Sequence, residues 1–280
     1  MKRWHVWLTT VLLIALASVA CSTGPAPPAK GTPPFYWQAA NENFNAGDYE
    51  KTTEHLDQLV RSDNEFIAKA YPWQLIMLSG MAEAYMDMGE NAEYGARANK
   101  SNPGQFRRQV SDFRSAAARK ALQLAETFER YEKRPAEANV LYAFPSPKGS
   151  PLPVAQLGKL ATGVMLSGSE LATAQKASLE RGILLSATRG AGARDDAAKL
   201  REILKAGNVQ VPRDAFMLGM AESLYKISEL FGPMKLDLPD RRAFFIRHAG
   251  DAAKAVAESK DSKELLKKID ADVKKLKLKT

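Results

Sequence analysis

At 280 residues the chain is long enough for one or two domains with a substantial core. Apolar residues at 45% and charged residues at 26% are globular proportions and exclude a disordered or collagen-like chain. The formal net charge is +8, and a single cysteine excludes an intrachain disulfide framework, a cysteine-based zinc site and a CxxC redox centre. The histidines, His5, His55 and His248, leave little material for a histidine metal cluster.

Residues 1–20 read as a targeting segment. Lys2 and Arg3 form a short positive region, and an apolar stretch follows from Val11 to Ala20, broken only by Ser18. It is shorter than the ~20 apolar residues that span a bilayer, so a signal peptide is expected and not a membrane helix. Its end, Ser18-Val19-Ala20-Cys21, has the small residues that a signal peptidase pocket requires. This ending resembles the lipobox of bacterial lipoproteins, with Ser18 where leucine is usual. The resemblance implies cleavage between Ala20 and Cys21 and acylation of Cys21 through a thioether. Several acyl chains at ~0.8 kcal/mol per buried methylene anchor durably in a membrane. In such lipoproteins an Asp after the cysteine retains the protein in the inner membrane. Here Ser22 follows, so the resemblance implies an outer-membrane protein facing the periplasm. Removal of Lys2 and Arg3 leaves the mature chain at +6.

Residues 21–34 form an acylated, Pro-rich tether. Five prolines between Pro25 and Pro34 are expected to prevent a helix and to favour an extended, polyproline-like strand.

From residue 35 to 280 the body reads as helical. After Cys21, Ala and Leu total 66 residues against 16 for Val and Ile, a bias toward helix formers. No clear run alternates apolar and polar residues between hairpin turns. Around Gly47 stand Ala39-Ala40, Phe44, Gly47-Asp48-Tyr49, Leu56 and Leu59. Around Gly89 stand Met81-Ala82, Tyr85, Gly89-Glu90-Asn91, Tyr94 and Ala98. Both have small residues where paired helices touch, an aromatic residue next, and a glycine for the reversal. This resembles the tetratricopeptide repeat over residues 35–100. The separation of the two glycines is 42 residues against the repeat's 34, so the implied array is irregular. An ordinary pair of helical hairpins remains the alternative.

Farther on, Phe106, Val110, Phe113, Ala117, Ala121, Leu124, Phe128 and Tyr131 recur in steps of three and four. They predict one amphipathic helix over 105–132, ended before Pro135. Residues 142–153, YAFPSPKGSPLP, contain four prolines and a glycine and predict an exposed loop. It either divides the body into halves or lies on the surface of one continuous array, the arrangement preferred here. Residues 154–187 are rich in small residues, with Gly158, Gly163, Gly168 and Gly182 recurring, and so suit close helix packing. Polar Lys159, Glu170 and Lys176 interrupt them, which argues against a membrane span. Phe216, Met220, Leu224, Ile227 and Phe231 predict a further helix, stopped by a glycine cap at Gly232 and then Pro233. The last helix is expected to open on Asp261 and Glu264 at capping-box spacing and to bury Leu265, Ile269, Val273 and Leu276.

Chemistry-bearing residues are sparse. His55 neighbours Glu54 and Asp57, but adjacent helix residues point apart, so it reads as a solvated histidine. His248 has no evident nucleophile beside it and reads as structural. Gly190-Ala191-Gly192-Ala193-Arg194 is glycine-rich without the lysine and hydroxyl of a P-loop. Glu222-Ser223 resembles the Glu-Ser pair of lytic transglycosylases, yet that family's Gly-Leu-Met-Gln segment does not follow. No catalytic, cofactor-binding or metal-ligating residue is therefore assigned, and no cofactor is expected. The lysines of the last helix, from Lys263 to Lys279, are diluted by Asp261, Glu264, Asp270 and Asp272. They read as a solvated face that could also meet anionic headgroups, and not as a nucleic-acid site. The clusters Phe35-Tyr36-Trp37, Tyr71-Trp73 and Phe244-Phe245 are read as core in preference to a ligand groove.

The expectation is an all-α, irregular TPR-like helical array, an α-solenoid or helical bundle, behind a signal peptide and Pro-rich tether. It is expected to be no enzyme but a protein-interaction scaffold of the cell envelope, bound to membrane lipid through Cys21 and to an envelope or periplasmic protein. The general organisation also resembles the T-component lipoproteins of TRAP transporters, which implies association with a periplasmic solute-binding protein or a small ligand. A peptidoglycan-active enzyme is the third reading. Cys21→Ser should leave the precursor unprocessed or mislocalised, as read by membrane fractionation and mass spectrometry of the N-terminus.

Overall fold

The computed structural model describes residues 27–149, 154–193, 196–205, 207 and 209–276. The targeting segment, the Ala20–Cys21 bond, the acylation site and Arg194 lie outside the described residues. Within them the chain is an all-α helical array with one small β-ribbon.

Helix α1 (Pro33–Ala46) starts two residues before the expected body. Pro33 and Pro34 do not extend the tether; they occupy the first helical turn, where a missing N–H costs no hydrogen bond. Gly47 closes this helix at φ 80°, and the Gly47 and Asp48 N–H groups return to the Phe44 and Asn43 carbonyls. The Asp48 carboxylate then accepts from the Lys51 N–H and opens α2 (Tyr49–Val60). The first glycine reversal therefore forms as its sequence predicts.

The second does not. Helix α3 (Ile67–Ala98) runs uninterrupted for 32 residues, with Gly89 inside it and buried. Every residue from Ala70 to Ala84 is buried. A helix apolar on all faces belongs at the centre of a fold, where neighbours cover it on each side. Helices α2, α4 (Pro103–Glu132), α5 (Ala155–Ala161), α6 (Gly168–Gly190) and α8 (Arg213–Ser228) all pack on α3. Gly89 keeps a helical backbone, without the positive φ of Gly47, and lies at ordinary contact distance from Phe113 and Arg114 of α4.

The expected stripe on α4 faces inward, with Phe106, Phe113, Ala117, Ala121, Leu124, Phe128 and Tyr131 buried and Val110 half-buried. The loop after it is not simply exposed. Residues Asn139–Tyr142 form β1, antiparallel to β2 (Val209–Pro212), with Tyr142 opposite Val209. Tyr142 and Phe144 turn into the core, where Phe144 stacks on Trp73 at 6.0 Å and Tyr142 meets Phe216 edge-on. One buried cluster includes residues from both sides of this loop.

Helix α6 begins with a capping box between Ser167 and Glu170. It crosses α3 where a Cβ on Gly182 would fall on the Gly80 carbonyl oxygen, and one on Gly80 within 2.5 Å of the Ile183 Cα. Only glycine permits this approach of backbones. One turn on, the Ser79 and Ser186 hydroxyls pair across the same crossing.

Beyond a short α7 (Ala197–Lys205), α8 carries the predicted Phe216, Met220, Leu224 and Ile227 face inward. It ends at Ser228 and passes into a 3-10 turn over Glu229–Phe231. Gly232 follows at φ −72°, ψ 167°, so it extends the chain and is not the expected left-handed cap. Helix α9 (Pro239–Lys254) packs on α8, and α10 (Lys260–Lys275) packs on α9. Ser259, not Asp261, caps α10, paired with Ser262. Leu265 and Ile269 are buried there, while Val273 and Leu276 are half-buried.

Gly182→Ala should cost about 1–3 kcal/mol by overpacking the α3–α6 crossing. Gly104→Ala, in the first turn of α4 with open space around it, should gain about 0.4–1 kcal/mol by restricting the unfolded chain. Urea unfolding of the two variants should move in opposite directions.

Candidate functional site

Helix α3 carries polar residues at both ends of its buried stretch, and the two ends treat them differently. Toward its C-terminal half lies Glu83, with a side chain only 4% exposed. Its carboxylate meets Arg189 of α6 at 2.5 Å and Lys226 of α8 at 3.0 Å. One turn along, Asp87 meets Arg181 of α6 at 3.1 Å. Burial alone would push the Glu83 carboxyl up, but the Arg189 and Lys226 charges outweigh it and hold it below its ordinary value. At Asp87 burial dominates, and the carboxyl is raised despite Lys226 and Arg181. This node consumes its own charges and ties three helices together.

The other cluster opens to solvent. Helices α2 and α4 flank α3 and leave a polar cleft of about 230 Å³ between them, with Gln74 of α3 at its floor. Two side-chain ion pairs bridge the walls. At one end Lys120 of α4 meets Glu50 of α2 at 2.6 Å, with its ammonium also 3.3 Å from the Thr53 hydroxyl. That lysine is 8% exposed, unusual for a residue normally left in water. Tyr85 donates to the same Glu50 carboxylate at 3.2 Å, and burial, then Glu50, push its hydroxyl up. At the other end Arg130 of α4 lies 3.6 Å from Asp57 of α2, which Arg61 also grips at 2.6 Å.

The cleft also has unspent hydrogen-bonding capacity. Gln74 donates its amide to the Thr53 carbonyl at 3.2 Å. Its Oε1 is buried and has no partner, on a side chain 3% exposed. Arg130 Nε is likewise buried and unpartnered. An acceptor and a donor stranded in one cleft are each costly unless water or a ligand meets them.

The residues singled out from sequence fall elsewhere. His55 is half-buried between the Phe35 and Tyr36 rings, with centroids at 6.3 and 6.0 Å. His248 lies 3.4 Å from Glu129 and against the Phe244 ring. Glu222 is half-buried and Ser223 fully buried on α8, and neither lines the cleft. Gly190 ends α6 against Tyr142 and Phe216, a packing role. Tyr71, Trp73 and Phe245 are buried as core residues, while Phe35, Tyr36, Trp37 and Phe244 are half-buried. Among the described residues no group of three His, Cys, Asp or Glu side chains is placed to hold a metal, and no helix is long and apolar enough to cross a membrane.

Sequence reading missed the cleft because its polar residues come from three helices. A signal was nevertheless present. Glu50, Glu54 and Asp57 share one face of α2 at steps of four and three, and Gln74 interrupts an apolar run. No family model matches the chain, and no curated protein or solved structure matches it.

The Glu83 node sets an acid limit on stability. A carboxyl lowered in the folded state contributes stability above its unfolded value of ~4.3, lost as pH falls through the folded one. Asp87, raised, acts in the opposite sense and is relieved on acidification. Glu83→Gln removes the carboxylate that Arg189 and Lys226 share and should cost about 3 kcal/mol at pH 7. That difference from the wild type should shrink below about pH 4, as measured by urea unfolding at pH 7 and pH 3.5. A difference independent of pH would show that Glu83 does not work through its charge.

Proposed function

We propose that this chain is a lipid-anchored protein of the bacterial cell envelope that works by binding and not by catalysis. The anchor rests on Cys21 and the small residues before it. The binding role rests on the polar cleft, where α2 presents Glu50, Glu54 and Asp57 and α4 presents Arg119, Lys120 and Arg130. With Arg61 and Glu126 also in the lining, the cleft carries side chains of both signs, which favours a polar partner with charges of both signs. The α1–α2 hairpin, with Ala40 fully buried and the reversal at Gly47, supports reading the N-terminal region as a TPR-like interaction module. The small dimensions of the cleft also favour a second reading, an accessory role beside a periplasmic solute-binding protein or its ligand.

The test is purification of the full chain from envelope membranes with identification of co-purifying proteins, alongside complementation of a deletion strain. Glu54→Lys with Glu126→Lys reverses two exposed cleft charges. At equal abundance this double variant should lose the partner and fail to complement. Glu222→Gln should retain both. The opposite pattern, with Glu222→Gln inactive and the double variant active, would overturn the binding reading in favour of an enzyme.

A further inference from the structure

We infer that the α2–α4 cleft takes a short free-ended peptide of about three residues, held by its terminal ammonium and its terminal carboxylate. The inference rests on the cleft being the working surface of a binding module, and it names what that surface binds.

The charge layout carries the argument. Arg119 adds a second, exposed cation beside Lys120 at the Glu50 end, so that end has cationic excess. Toward the Asp57 end, Glu126 adds an exposed carboxylate beside Asp57, Arg61 and Arg130, and Glu54 adds another midway along α2. A ligand anion is therefore drawn to the Lys120–Arg119 end and a ligand cation toward Glu54, Asp57 and Glu126.

Length selects among zwitterions. Glu50 and Asp57 are seven residues apart on one helix, a rise of about 10 Å at 1.5 Å per residue. A free amino acid is too short to reach both ends. An extended chain spans at most ~3.3–3.6 Å per residue, so three residues match. Between the ends Gln74 Oε1 is an acceptor without a donor, and at the Asp57 end Arg130 Nε is a donor without an acceptor. A peptide offers an N–H and a carbonyl at that depth. Other ligand classes fit less well. Among the described residues no aromatic ring lines the cleft for a sugar to stack on, and Glu50 and Asp57 oppose a free polyanion.

The probe is trialanine, titrated calorimetrically into the protein. Trialanine should bind, and N-acetylation or C-terminal amidation should each weaken it at least tenfold. Glycine should bind more weakly than trialanine, and O-phosphoethanolamine, standing for a zwitterionic lipid headgroup, should not compete with it. Arg119→Ser and Glu54→Ser alter exposed side chains and should leave the circular dichroism spectrum unchanged. Each should lower trialanine affinity several-fold. Arg119→Ser should do so without further loss on amidation, and Glu54→Ser without further loss on acetylation. Equal binding of the capped peptides, preference for O-phosphoethanolamine, or no binding of trialanine at 10 mM would each overturn the peptide assignment. If the Glu54→Lys/Glu126→Lys protein still loses its membrane partner in that last case, the binding module stands and only its ligand class falls.

Discussion

The structure depends on the complete burial of one helix. From Ala70 to Ala84, α3 has no face left for solvent, so other segments must cover it on every side. Helix α6 approaches closely enough only because Gly80 and Gly182 meet without side chains. Helix α8 closes on the end of α6 in the same way, since a Cβ on Gly219 would lie 2.7 Å from the Arg189 carbonyl carbon and the Gly190 nitrogen. The β-ribbon and the Tyr142–Phe144 segment then place aromatic rings over Trp73. Elements distant in sequence are thereby bound into one core cluster.

A sheathed helix must also dispose of its polar residues, and this one does so in two ways. Glu83 is surrounded by cations from two other helices, so its burial is compensated internally. Gln74 lies where α2 and α4 part, and half of its amide is left unmet. The first arrangement locks helices together. The second leaves a cleft with opposed charges, an unpaired acceptor and an unpaired donor. Polar groups that a fold does not satisfy by itself are where a ligand gains most, because the cost of stripping their water is already borne.

Legibility followed the range of the interactions. The α4 stripe, the inner face of α8 and the Gly47 reversal were readable because each is a local pattern with a fixed period or a fixed dihedral requirement. Gly89 looked like Gly47, with small residues before it and an aromatic residue nearby. It differs in lacking the positive φ of Gly47, and the helix carries on past it. Pro33 and Pro34 looked like tether and became a helix start, since proline suits both an extended segment and a first turn. Pro145 and Pro147 marked a break in the helices correctly, whereas residues 150–153 lie outside the described ones; the prolines did not reveal that Tyr142 and Phe144 are core.

By itself the sequence determined the helical class and the main amphipathic faces, and it carries the Ser18–Cys21 motif on which the proposed anchor rests. These rest on composition, periodicity and short contiguous motifs, which need no knowledge of what lies across the fold. Only the tertiary structure decided which helix is central, which glycines mark crossings and which marks a turn, and where the charged residues of α2, α3 and α4 converge. Those outcomes depend on pairs such as Gly80 with Gly182, Glu83 with Arg189 and Lys120 with Glu50, separated by tens to about a hundred residues. Single-chain periodicity records that a residue faces inward or outward; it carries no record of the partner that it meets there.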